Sequence, residues 1–200
     1  MMQIDEDKAA LIDALAQNAG FDGWTTSSLR MALSGLGRDP AEAKLAFPGG
    51  CGEMIEAYFA LGDERMVLAQ HGQMPEVGMT ARVRAAVVAR LSLMDGEKEA
   101  VRRAMAWLVL PGNAPRVARV IARMADSVWF SAGDKSADMS WYSKRLVLGG
   151  VLSATLLYWL ADTSPDSAKT HAFLDRRLVD VGRIGALKAR LPRLPRILGV

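Results

Sequence analysis

The sequence predicts an all-α protein, and three observations predict it. Apolar residues recur at the three-to-four-residue spacing of a helix face, while the strict alternation of a strand is hard to find. Half of the 200 residues are hydrophobic and about a quarter charged, the balance of a soluble globular chain. Proline and glycine punctuate the chain at intervals suited to short helices. The length is enough for a substantial core. The single cysteine, Cys51, excludes an intrachain disulfide and fits a reducing compartment.

The first helix is expected over Asp5–Ala19, with Ala9, Ile12, Ala16 and Ala19 on or near one face and Gly20 stopping it. The acidic N-terminus lacks the basic and apolar regions of a secretory signal and the Arg- and Ser-rich character of a transit peptide. The simplest expectation is a bacterial cytoplasmic protein, with an organellar protein in its mature form as the alternative. Thr25 or Thr26 caps a short helix to about Ser34, a turn follows over Gly35–Gly37, and Pro40 opens a second short helix. Pro48-Gly49-Gly50 breaks the chain before a third. Residues 1–60 read as a small head whose layout resembles the helix-turn-helix of TetR-type regulators, including the turn at Phe47–Pro48–Gly49.

A DNA-reading helix needs several cations for phosphates and polar side chains for base edges. The candidate, Pro40–Phe47, offers Lys44, with Arg38 just outside and Glu42 opposing both. That face suits DNA poorly, so the head reads as a structural relic.

The body is expected over residues 61–182. Leu61–Gly78 reads as a turn-rich connection and Met79–Leu93 as a helix. The next, after Asp95, is capped by its acidic start and runs to Val109; Pro115 sits in the first turn of the one that follows. There Val117, Val120, Ile121, Met124 and Val128 form one buried stripe. Asp126, Trp129 and Phe130 fall off that stripe, which leaves two readings: a side covered by neighbouring helices, or a recognition surface of rigid aromatics beside a polar rim. Leu146–Ala161 carries no charge. At roughly 20 residues per bilayer crossing it is too short to span, so it reads as a buried helix, a dimer seam or one wall of an apolar cavity. Gly149, Gly150, Ser153 and Ala154 make it slim. Ser164-Pro165-Asp166 caps the last helix, with Ala168, Phe173 and Leu174 facing inward.

From His171 onward seven Lys/Arg face two Asp, so the excess positive charge of the chain lies at its end. Over residues 183–200, Ile184, Leu187, Leu191, Leu194 and Leu198 share an arc and basic residues fill most of the remainder. That is the pattern of an interfacial helix on anionic lipid. Arg183, Ile184, Leu187, Lys188, Arg190, Leu191, Arg193, Leu194 and Arg196 are its membrane-binding candidates. Pro192 and Pro195 interrupt a regular helix, and a basic tail that binds RNA or is simply solvated is the alternative.

The central stretch also carries a family resemblance. Trp129–Phe130, Ala132–Ser136, Asp138–Arg145, Asp162–Pro165 and Phe173–Arg177 resemble the signature of the lipid-binding accessory family of ubiquinone biosynthesis. Its elements are a Trp-aromatic pair, Ala-Gly-Asp-x-Ser, Asp-x-x-Trp-Tyr-x-(Lys/Arg)-Arg, Asp-x-Ser-Pro and Phe-Leu-x-x-Arg. Phe130 stands where that family often has Tyr. The resemblance implies a TetR-like helical bundle without DNA binding and a larger ligand-binding body that holds a lipid or isoprenoid quinone intermediate. Leu148, Val151, Leu152, Thr155 and Leu156 are the lining candidates. It also implies a C-terminal membrane helix, peripheral location on the cytoplasmic face of the bacterial inner membrane, and a homodimer paired through the last long helices. The implied partner is the di-iron hydroxylase that acts on demethoxyubiquinone, met through Asp126, Trp129 and Phe130.

Catalytic signals are missing from the sequence. His71 and His171 sit in unrelated settings, and no HExxH, paired CxxC or ExxH occurs. Glu53 and Glu56 read as a solvated face and Cys51 as a plain small residue. The expectation is a protein that is not an enzyme, holds no metal or cofactor beyond its lipid, and binds no nucleic acid. Two rivals stand against it: a TetR-type transcriptional regulator binding DNA, and a helical scaffold with no ligand.

Overall fold

The computed structural model describes residues 4–71, 78–134 and 140–190, with side chains at the C-terminal end as far as Gly182. Among the described residues there are helices and turns and no strand. The helices are α1 (Glu6–Asp22), α2 (Thr26–Gly35), α3 (Ala43–Ala46), α4 (Gly50–Gln70), α5 (Met79–Ser92), α6 (Lys98–Leu108), α7 (Ala114–Ser131), α8 (Ser140–Ala161) and α9 (Ala168–Arg190). Helix α4 packs along α7 in the most extensive contact of the fold, α1 lies against α2, α4 and α6, and α8 is held between α7 and α9.

Helix α1 begins where Asp5 accepts a hydrogen bond from the Lys8 amide at 2.7 Å. It runs past the expected stop at Gly20 to Gly23, whose φ of 76° only glycine adopts freely. Thr25 caps α2 by accepting from the Ser28 amide at 3.1 Å. The segment expected as one short helix from Pro40 is a 3₁₀ turn, Pro40–Glu42, followed by the single turn α3. Trp24 is buried beneath these helices and donates its indole N–H to the Ala100 carbonyl at 2.9 Å, tying the head to α6.

The expected turn-rich connection at Leu61–Gly78 is replaced over its first ten residues by helix. Helix α4 continues unbroken through Gly62 to Gln70, and the head–body boundary at 60/61 falls inside it. Gly62 is there for contact, since a Cβ would lie 2.4 Å from the Arg90 guanidinium carbon. Arg90 donates from Nε to Asp63 at 2.9 Å and from Nη2 to the Phe59 carbonyl at 3.1 Å. Arg123 of α7 approaches the second Asp63 oxygen at 3.4 Å. This buried cluster joins α4, α5 and α7. Burial pushes the Asp63 carboxyl up in spite of both arginines.

Helix α6 starts at Lys98, and its cap residue Glu97 makes no capping bond; its carboxylate accepts from the Tyr58 hydroxyl at 2.6 Å instead. At the start of α9 the expected cap Ser164 accepts from the Lys169 amide at 3.1 Å, and Asp162 joins it. Asp162 accepts from the Ser164 and Thr170 amides, both at 2.8 Å, and from both hydroxyls at 2.6 Å. These four donors hold the Asp162 carboxyl well below the usual carboxylate range. Leu174 of α9 is buried, Phe173 stacks half-buried on Tyr158, and Ala168, expected inward, is exposed.

Helix α8 starts six residues before its charge-free run, so length no longer argues against a membrane span. Trp141–Ala161 has 21 residues and a mean hydropathy of 1.2, enough to cross by length and composition. In the fold it packs on α7 and α9, burying Leu148, Leu152, Leu156 and Trp159.

Candidate functional site

The last turn of α7 is clasped to the first turns of α8. Arg145 donates from Nε to Asp126, and its guanidinium lies 3.7 Å above the Trp141 ring. Lys144 bonds Asp134 at 3.0 Å and sits 5.5 Å from the centre of the Trp129 ring. The cations of the Trp-Tyr-Ser-Lys-Arg run therefore hold the aspartates and indoles of the same motif. Asp126, expected as a polar rim for a partner, is engaged within the chain by Arg145. Residues 135–139 lie outside the described residues.

Trp129 and Phe130 separate. Consecutive residues on a helix point about 100° apart, and here a different groove lies on each side. Trp129 is half-buried and lines an apolar groove of about 270 Å³ between α5, α7, α8 and α9, with Val83, Leu148, Val151, Leu178 and Val181. Its indole N–H is out of reach of solvent and has no acceptor among the described residues. Phe130 is 67% exposed and borders a second groove, of about 740 Å³, between α1, α4 and α7. Asp126 borders that one too. The expected single patch of three residues is thus one residue on the apolar side and two on the other.

The five lipid-lining candidates divide as well. Leu148 and Val151 line the Trp129-side groove. Leu152 and Leu156 border an interior cavity of only about 50 Å³, closed by Phe59, Met105 and Met124 among others. Thr155 is buried and donates to the Val151 carbonyl at 2.7 Å. The expected roomy interior is packed, and the larger apolar space is at the surface. Gly149 is a close-approach position, where a Cβ would lie 2.7 Å from Ile121 Cγ2, while Gly150 faces open space.

Among the membrane-binding candidates, Arg183, Ile184, Leu187, Lys188 and Arg190 belong to the last turns of α9. Leu191, Arg193, Leu194 and Arg196 lie outside the described residues.

Two groups missed by sequence reasoning are Glu53 and Glu56, expected as a solvated face. Glu53 accepts from the Gly49 amide at 2.6 Å, and Glu56 pairs with Arg116 at 2.8 Å and Arg119 at 3.0 Å. Their helical spacing was visible, whereas the arginines are about sixty residues away. Burial pushes the Cys51 thiol up to about 11, which keeps it protonated and a poor nucleophile at neutral pH. Among the described residues, no group of three or more His, Cys, Asp or Glu could hold a metal ion.

The helix order and the small head set on a larger body define a TetR-like all-helical protein. A TetR transcriptional regulator from Nitrosomonas europaea ATCC 19718 superimposes with a TM-score of 0.71, covering 90% of this chain and 99% of that one at 20% identity. That likeness shows the fold alone. The family model named COQ9 matches residues 114–185, which include the clasp and both of its aromatics. The mitochondrial ubiquinone biosynthesis protein COQ9 of Rattus norvegicus is 32% identical over 171 residues, covering 82% of this chain and 54% of the relative. The Homo sapiens protein of the same name is 31% identical over 173 residues, covering 86% of this chain and 52% of the relative. The chain is similar to the COQ9 proteins over most of its own length, and spans about half the length of the curated relatives it matches.

One expectation falls with these matches. A place on the bacterial inner membrane was expected, but the relatives named here, and that of Drosophila melanogaster at 29% identity, are mitochondrial proteins by name. The acidic N-terminus that suggested a bacterial protein is a poor guide to location, because targeting depends on segments that a core sequence need not contain.

Proposed function

We propose that this chain is a non-catalytic accessory protein of ubiquinone biosynthesis that takes an isoprenoid quinone intermediate from a membrane and presents it to the demethoxyubiquinone hydroxylase. The biosynthetic role follows the names of its relatives. The observation that carries the lipid is the Trp129-side groove. At about 270 Å³ it approaches the lower end of small-molecule sites, roughly 300 Å³, and its walls are apolar. An isoprenoid chain suits such walls. The hydroxylase would meet Phe130 and the Asp126–Arg145 pair on the neighbouring side. The basic residues from Arg183 onward would hold the protein on anionic lipid.

A second copy is the further partner in this reading. Tyr142, Leu146 and Leu157 of α8 and Val179 of α9 are all more than half exposed, an apolar stripe that pairing would cover. Sedimentation of Leu146→Glu against the wild type tests it: the wild type should run as a dimer and the variant as a monomer.

The regulator reading is the weaker rival. Arg38, one of few cations near α3, is held by Glu42 at 2.6 Å, and α3 is a single turn.

Native mass spectrometry of gently purified protein, with organic extraction of what stays bound, tests the proposal. A co-purifying quinone or isoprenoid is the expected result. A protein that carries no lipid and binds a DNA duplex would return the regulator to the front.

A further inference from the structure

The size of the Trp129-side groove limits what it can enclose. Its volume is about 270 Å³. A cavity of roughly 150 Å³ takes the six carbons of benzene, so at the same density this groove takes on the order of eleven heavy atoms. A benzoquinone ring with a few small substituents is of that size, and so are about two isoprene units. Ring and tail together are not.

Polarity is graded along the groove. Arg84 of α5 and Tyr158 of α8 meet α9 at Asp175 and Phe173, whereas Thr80 and Ser143 share the groove with Val181 and Gly182. Both α5 and α8 therefore run antiparallel to α9, and Thr80 and Ser143 stand at the same end of the groove. Both residues are exposed, each in the first turn of its helix. Lys144, engaged by Asp134 at 3.0 Å, completes that polar end. Further along the same helices the walls are Val83, Leu148 and Val151, faced by Leu178. A ligand with polar and apolar edges has one way to lie here, with its oxygens toward Thr80 and Ser143.

A membrane decides between ring and tail. Lipid chains are as apolar as a leucine wall, so an isoprenoid tail gains next to nothing by leaving them for this groove. The oxygens of a quinone ring gain hydrogen bonds that hydrocarbon does not offer. Trp129 adds an aromatic wall.

We propose that the Trp129-side groove is a head-group site: it encloses the ring of an isoprenoid quinone, whose oxygens accept from the Thr80 and Ser143 hydroxyls, and leaves the tail in the bilayer. This rests on the reading that the groove takes a quinone lipid from a membrane. The groove lies at the surface, so the tail can run out of it into lipid. Presentation then lifts only a ring from the bilayer, and selectivity follows the ring's substituents rather than the length of its tail.

The test uses the full chain in water, with the ubiquinone ring carrying one, two or three isoprene units, and with farnesol as a tail that has no ring. Binding is read by NMR at the amides of Val83, Val151 and Leu178. An enclosed tail would tighten binding on the order of a hundredfold or more with each five-carbon unit. The expected result is a plateau, with the two- and three-unit quinones within about threefold of each other. The double variant Thr80→Val, Ser143→Ala should weaken the quinones about tenfold, as the loss of two hydrogen bonds predicts, and leave farnesol unchanged. Stepwise tightening from one unit to three, or quinone binding that the double variant leaves intact, would overturn the proposal while the lipid reading stands. Failure of that parent reading looks different: none of the four probes shifts these amides in the wild type.

Discussion

Two grooves flank the last turn of α7, and neighbouring residues open onto them. The one beside Trp129 is walled by Leu148, Val151 and Val181. The one beside Phe130 has an alanine floor and a charged rim in which carboxylates outnumber Lys8 and Arg123. One helical step separates an apolar site from a charged one, because the intervening Asp126–Arg145 and Lys144–Asp134 pairs hold α8 at a fixed angle to α7. The difference teaches that a short motif can serve two surfaces of opposite character, provided the helix presenting it is clamped.

Four measurements break or sharpen this comparison. Asp63→Ala should strike both sides, because it leaves Arg90 and Arg123 without their shared carboxylate and loosens α4 from α5 and α7. A loss of about 3–5 kcal/mol in urea unfolding is expected for a buried pair broken on one side. Phe130→Ala acts on one side alone. Its ring is 67% exposed, so stability should change by no more than about 0.5 kcal/mol. Capture of the hydroxylase, by contrast, should weaken on the order of 30-fold if the ring is an anchor worth about 2 kcal/mol.

Val151→Trp is the complementary change, filling the other groove. Lipid recovered by extraction should fall about tenfold, equivalent to about 1.4 kcal/mol, with hydroxylase capture kept. The mildest effect is expected from Asp162→Asn, which loosens the start of α9 and so one wall of the Trp129-side groove. The folded Asp162 carboxyl titrates below its ordinary value. Its stabilisation is therefore full above the ordinary carboxylate value of about 4 and drains as pH falls through the depressed one. The variant should melt at a lower temperature at pH 7 and lose less than the wild type on acidification, as thermal scans across that range would reveal.

Much of this was legible in the sequence, and the failures have physical causes. The all-helical class and the α7 stripe followed from spacing alone; Val120, Met124 and Val128 are buried, while Val117 and Ile121 are half-buried. The segment from Leu61 was misread as a turn-rich connection, whereas its first ten residues continue α4, with Gly62 admitting the Arg90 guanidinium. The lining candidates on α8 shared a face in projection, yet their arc is about 140° wide. An arc that broad meets the groove at Val151 and the small cavity at Leu156, while Thr155 between them is bonded to the Val151 carbonyl of its own helix. Trp129 and Phe130 could have been assigned to different sides from their angles, but not to a lipid side and a charged side. That distinction is made by α1 and α9, both remote in sequence.

Helix α4 has a mechanical consequence. Its 21 residues form one rod of roughly 30 Å, with Tyr58 against Trp24 of the head at 5.0 Å between ring centres and Asp63 locked to α5 and α7. A rod anchored so near both neighbours behaves as a strut. A partner levered into the Phe130-side groove would push on α1 and α4 together, so the head should travel with the load and register it as a whole-body displacement.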